Sequence, residues 1–182
     1  MRVGVGSKIG LSYIVILLVY LVSSYMMMIG ILGLRNVMDE STEKSEQMNM
    51  LFRYNILSSR ITLMAKDAMI DTEKVLSSEF MADYNVMTGE IKALKDSFLD
   101  MQKSSDDRNS SVRIFGETSK LFDVIENSLF IPLTENQTVN FDLVNDAINQ
   151  RGDILKIIDE QLDKLDTDKK NLLNNSTELS KQ

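Results

Sequence analysis

The hydrophobic pattern contains one long apolar run near the start of the chain. Residues 9–34 comprise 26 residues without a charged side chain. As a helix, this run would be about 39 Å long, against a bilayer hydrocarbon core of roughly 30 Å. A buried core helix is rarely so long and so uniformly apolar. A cleaved signal peptide has a shorter apolar stretch followed by a small-residue cleavage site. The run therefore predicts an uncleaved transmembrane helix over residues 9–34.

The charges on either side of this run predict its orientation. Arg2 and Lys8 precede it, and the first acidic residue is Asp39. All 27 acidic residues and 17 of the 20 basic residues lie beyond residue 35, which gives that part a formal charge of −10. Because basic flanks are retained in the cytoplasm, we expect residues 1–8 to be cytoplasmic and residues 35–182 to lie on the opposite side of the membrane.

The remainder of the chain has helical periodicity. Apolar residues recur at alternating steps of four and three, which is typical of a helix with one buried seam. One such seam comprises Phe80, Tyr84, Met87, Ile91, Leu94, Phe98 and Met101. A second seam runs from Phe141 to Leu179, and nine of its twelve positions are apolar. We expect the core to include Leu51, Ile61, Phe80, Ile91, Phe98, Phe122, Leu155 and Leu162.

Polar clusters and Pro132 divide this part into four helices, because proline interrupts the backbone hydrogen bonding of a helix. The predicted helices cover residues 35–76, 79–104, 109–131 and 140–182. Ser77 and Asn140 can accept the hydrogen bonds that start the second and fourth of them. The predicted fold class is all-α: an N-terminal transmembrane helix followed by an antiparallel four-helix bundle.

The first of these helices has two adjacent apolar faces. One contains Leu51, Tyr54, Ser58, Ile61, Ala65 and Ala68, and the other contains Phe52, Ile56, Ser59, Leu63 and Ile70. A helix of one bundle needs only one such face. We therefore expect the second face to pack against another copy of the chain, which predicts a homodimer.

Helix length supports a further expectation about the membrane. At about 1.5 Å per residue, the fourth helix descends far enough for the chain to return to the height at which the first helix began. We expect a second membrane helix to follow Gln182.

Composition excludes several kinds of chemistry. The chain has no Cys and no His, so thiol nucleophiles, disulfides and the commonest general base and metal ligand are missing. The acidic balance argues against nucleic-acid binding. We expect no enzymatic activity, no metal and no cofactor.

This layout resembles the four-helix-bundle sensor domain of bacterial methyl-accepting chemotaxis receptors. The resemblance uses Arg2, Lys8, the apolar run at 9–34 and the two seams, and it contains no diagnostic short motif. It implies a homodimer in the bacterial inner membrane with residues 35–182 in the periplasm. It also implies that a small ligand or a periplasmic binding protein is sensed there, and that the signal passes to a cytoplasmic module. The alternative is a single-pass, membrane-anchored helical scaffold that senses nothing.

Three arginines form the candidate ligand site. Measured from the membrane-distal end of the domain, Arg60, Arg113 and Arg151 lie within roughly 10 Å of one level, given the helical rise per residue. Guanidinium groups match carboxylates and phosphates geometrically. The seam position of Arg151 points it inward, so a small anion could pair with it. The competing explanation is an internal partner, for instance Glu117 or Asp67.

Overall fold

The computed structural model describes residues 5–102 and 105–179. The predictions that involve Arg2, residues 103–104 and residues 180–182 lie outside this part of the chain. The described residues are helical apart from short turns, and they contain no strand, which confirms the all-α class. The helices are α1 (Val5–Ile70), a 3₁₀ helix (Thr72–Leu76), α2 (Ser78–Asp100), α3 (Ser105–Ile125), a π-helix (Glu126–Phe130), α4 (Ile131–Thr134) and α5 (Phe141–Leu179).

The chain divides into two units. One contains the described parts of Met1–Thr42 and Lys169–Gln182, and the other is Glu43–Asp168. In the first unit, α1 is long and apolar enough to cross a membrane, and its most apolar stretch buries none of its residues. Side chains such as Leu17, Leu21 and Met27 are more than half exposed. Exposed apolar surface of this extent is costly in water, so the helix has the surface expected of one that faces lipid.

The second unit contains a hydrophobic core to which α1 contributes one face. The six residues predicted for the first face of α1 are all buried, which confirms that assignment. Of the eight predicted core residues, six are buried: Leu51, Ile61, Ile91, Phe98, Phe122 and Leu162. The other two, Phe80 and Leu155, are only half-buried.

The buried seam of α5 differs from the predicted one at one position, where Ile154 is buried in place of the adjacent Leu155. Ile154 and Ile158 are buried, whereas Leu155 is not. Successive residues of an α-helix point about 100° apart, so burying Ile154 turns Leu155 toward the edge of the contact. Phe80 lies in the first turn of α2, where it packs edge-on against Phe130 at a ring-centroid distance of 5.5 Å.

Aromatic contacts join α2 to the chain that follows it. Phe98 packs against Phe115 at a centroid distance of 5.7 Å, and Tyr84 packs against Phe130 at 4.8 Å. The earlier residue of α2 thus meets the later residue of its partner, so these two segments run antiparallel. Each ring pair is edge-to-face, the arrangement that the aromatic quadrupole favours.

Polar contacts link α1 to α5 in the same antiparallel sense. Lys44 forms an ion pair with Asp168 at 3.3 Å, whereas the later α1 residues Asn55 and Ser59 accept hydrogen bonds from Arg151. The segments α1 and α2 also run antiparallel, since Gln47 donates to the carbonyl of Met101 whereas the later α1 residue Arg53 forms an ion pair with the earlier α2 residue Glu90.

Side-chain caps begin two of the helices as predicted. The hydroxyl of Ser77 accepts a hydrogen bond from the Phe80 amide at 3.2 Å, and Asn140 accepts one from the Leu143 amide at 3.1 Å. Both satisfy amide groups that have no partner within the helix.

The third predicted helix continues past Pro132 instead of ending at residue 131. Proline lacks an amide hydrogen and its ring collides with the carbonyl four residues earlier. The π-helix Glu126–Phe130 accommodates this, and the Ile131 amide donates to the Glu126 carbonyl five residues back. The helical segment then ends at Thr134, and Asn136, just after the C-cap residue Glu135, adopts a positive φ of 55°. The Gln137 amide donates to the Pro132 carbonyl at 2.7 Å, as in a Schellman ending.

Candidate functional site

Arg151 is the predicted site residue with the most developed surroundings. It lies on α5 and is half-buried. Its Nη2 donates to Asn55 Oδ1 at 3.2 Å and to Ser59 Oγ at 2.5 Å. Asn55 and Ser59 are one turn apart on α1, so they present two acceptors side by side. The arginine is therefore held by neutral groups, and neither Glu117 nor Asp67 is its partner.

The charge of Arg151 is incompletely compensated. Partial burial lowers the pKa of its guanidinium from the ordinary value by desolvation. Its Nε is buried and has no hydrogen-bond partner among the described residues. Arg151 also has no carboxylate partner in that part of the chain. A guanidinium that has an uncommitted donor and no counter-ion can donate hydrogen bonds to a carboxylate or phosphate.

Arg113 lies in different surroundings. It is exposed and lines a groove of about 290 Å³ between α3 and α5, together with Gln150 and apolar residues of both helices. The acids of this groove already have partners. Glu117 pairs with Lys120 at 2.9 Å, and Asp153 pairs with Lys156 at 3.3 Å. The groove thus presents both signs of charge.

Arg60 is exposed on α1, directly after Ser59. The structure does not gather the three arginines around one cavity. Arg151 donates to α1, Arg113 lines the α3–α5 groove, and Arg60 lines neither that groove nor the contact between Arg151 and α1.

The two residues that accept hydrogen bonds from Arg151, Asn55 and Ser59, are not among the site residues predicted from the sequence. Ser59 lies on the second apolar face of α1, where a hydroxyl is out of place among Phe52, Ile56 and Leu63. That mismatch was a usable signal, because a polar residue inside an apolar stripe needs a partner. Asn55 carried no such signal.

The second face of α1 remains uncovered in the single chain. Its apolar members Phe52, Ile56, Leu63 and Ile70 are 48%, 60%, 59% and 86% exposed. Ser59, which binds Arg151, lies in the middle of this stripe. Arg151 and its acceptor Ser59 therefore lie next to a helix face with four large exposed apolar side chains. Proteins commonly bury surfaces of this kind in an interface.

Comparisons with family models, with curated proteins and with solved structures found no match to this chain.

Proposed function

We propose that this protein is a membrane-anchored extracytoplasmic sensory domain of the chemoreceptor type. In this proposal residues 9–34 cross the bacterial inner membrane, residues 1–8 are cytoplasmic and the rest is periplasmic. The observation that carries the proposal is that α1 provides both an exposed apolar segment of membrane-spanning length and a buried face of the core of the second unit. The basic flanks support the orientation.

The proposed architecture of the periplasmic part is an antiparallel four-helix bundle. The contacts of α1 with α2 and α5, and of α2 with the α3–π–α4 segment, support this arrangement. The core draws on all four of these segments. Such a bundle transmits a change in one helix to its neighbours because each core side chain contacts several others.

The proposed active form is a homodimer that is joined through the exposed face of α1. Burial of Phe52, Ile56, Leu63 and Ile70 against a second copy would remove four large apolar side chains from water. Arg151 would then lie beside the interface, through its hydrogen bond to Ser59. An anion bound by Arg151 would compete with Asn55 and Ser59, and would favour one packing of α5 against α1 over another.

Cysteine crosslinking tests this proposal without interference, because the chain has no native cysteine. Ile56→Cys in the full chain, in membranes, is expected to form a disulfide-linked dimer on mild oxidation. Asn149→Cys, at an exposed position on α5, is the matched control, and we expect its crosslinking to be several-fold slower. A panel of small carboxylates and phosphates should include one that changes the Ile56→Cys rate, and Arg151→Gln should remove that response.

Two results would count against the proposal. Equal crosslinking at the two positions contradicts the α1 dimer. A dimer whose crosslinking rate no anion alters contradicts sensing through Arg151 and favours the scaffold interpretation.

A further inference from the structure

A second groove lies between α2 and α3, with part of α1 at its base. Its volume is about 290 Å³, near the lower end of ordinary small-ligand pockets. Its lining differs from that of the Arg113 groove, because two lysines and no acidic side chain belong to it.

The base of this groove is apolar and closely packed. Phe115 packs edge-on against Tyr54 at a centroid distance of 4.9 Å, and both side chains are about 2% exposed. Burial raises the pKa of Tyr54 to about 12, although a hydrogen bond with Thr118 opposes the shift. The phenol therefore stays neutral, and its hydroxyl already has a partner. Ile91 and Phe122 complete a surface that suits the flat body of an apolar molecule.

The polar side chains of this groove can bind an anion. Lys92 and Lys95 are three apart on α2 and share a face. Neither forms an ion pair with an acid among the described residues. Ser119 is exposed and its hydroxyl is uncommitted within that part of the chain, whereas Thr88 donates to the Tyr84 carbonyl at 3.0 Å. The result is a local excess of positive charge on a protein whose net charge is −7.

We infer that this groove binds a small monocarboxylate with a flat apolar body, such as an aromatic acid. The body would lie on Phe115, Ile91 and Phe122, and the carboxylate would face Lys92 and Lys95. Ser119 could donate a hydrogen bond to a carboxylate oxygen. Charge complementarity selects the anion over a neutral or cationic analogue, since the lysines have no competing acid in the groove.

The inference goes beyond the proposed function, because it assigns a ligand class to a site that is separate from Arg151. It has one consequence for that function. A ligand in this groove would contact Tyr54, a buried residue of α1. It would therefore act on the same helix that carries the proposed dimer face.

The test uses the full chain in nanodiscs of zwitterionic phospholipid, with benzoate as the probe. Binding is followed by saturation-transfer NMR on the ligand, with empty nanodiscs as the background. The dissociation constant should be on the order of 0.1–1 mM for so small a molecule. Benzyl alcohol, which has the ring without the charge, should bind more weakly.

Two variants and one control decide the site. Lys92→Gln combined with Lys95→Gln should weaken benzoate binding about five- to tenfold, since each solvated charge contributes modestly. Ser119→Leu, which fills the groove without changing its charge, should also weaken it. Lys66→Gln removes an exposed lysine of α1 that lies outside the groove, and should leave binding unchanged. Thermal melts of all three should match the parent.

Three outcomes would overturn the inference: no benzoate signal above that of empty nanodiscs, equal affinity in the parent and the double-lysine variant, or benzyl alcohol binding as tightly as benzoate. None of them bears on the proposed function, because this measurement requires neither a dimer nor a signal. Conversely, failure of the α1 crosslinking leaves the benzoate result intact.

Discussion

Replacing Ile158 with Ala is expected to lower the free energy of unfolding by about 3–4 kcal/mol, within the range measured for large-to-small core substitutions. Ile158 is 0% exposed and lies on the face of α5 that enters the core. Its truncation loses the transfer free energy of three carbons and leaves a cavity that the close-packed neighbours fill only in part. Urea titration of the full chain in detergent, followed by circular dichroism, measures the change.

Leu155→Ala is the matched comparison for this prediction. The two residues are three apart on α5 and both are aliphatic, but Leu155 is only half-buried. We expect a loss of about 1–2 kcal/mol at Leu155, in proportion to the smaller area removed from water. Glu46→Ala, at an exposed position, should change the free energy by less than about 0.5 kcal/mol. Equal losses at Ile158 and Leu155 would contradict the seam of α5 described above.

Introducing two acidic residues into the centre of the apolar run is expected to abolish stable integration of the protein into the membrane. Leu18 and Val22 are one turn apart, and each is more than half exposed in the single chain. Replacing both with Asp costs about 5–7 kcal/mol on the insertion scale, at roughly 2.5–3.5 kcal/mol for each charge near the helix centre. Extraction of membranes with alkaline carbonate gives the readout, as the fraction of protein that remains in the pellet.

The Ala counterpart provides the control for this double substitution. Leu18→Ala with Val22→Ala shortens the same side chains without adding charge, so the protein should remain in the pellet. Extraction of the parent protein by carbonate would contradict the membrane assignment. So would retention of the Asp variant at the level of the parent.

Periodicity predicted the buried face of α1 correctly because the pattern is repeated many times along one long helix, whereas the packing of the second face against another copy stays a prediction. Six buried positions and four exposed apolar ones fall on two neighbouring stripes, so an error at a single residue could not change the assignment. The helix caps at Ser77 and Asn140 were equally predictable from the sequence, since a cap depends on a side chain and a backbone amide within four residues of each other.

Features that depend on contacts between distant residues were not predicted. Arg151 was recognised as an inward-pointing charge, but its partners Asn55 and Ser59 are 96 and 92 residues away in sequence. No local pattern identifies such partners. The continuation of the helical segment beyond Pro132 was not predicted for a different reason. The π-helix that permits it shifts the hydrogen-bond register, and no composition signal marks that shift.

The proposed sensory function requires one orientation of the chain in the membrane, and labelling of single cysteines measures that orientation. Ser7→Cys and Lys66→Cys place one thiol on each side of the apolar run in a chain that has none. Bacterial cells with a permeabilised outer membrane are treated with a membrane-impermeant maleimide before and after lysis. We expect Lys66→Cys to be labelled before lysis and Ser7→Cys only afterwards. Labelling of Ser7→Cys before lysis, or protection of Lys66→Cys until lysis, would contradict it.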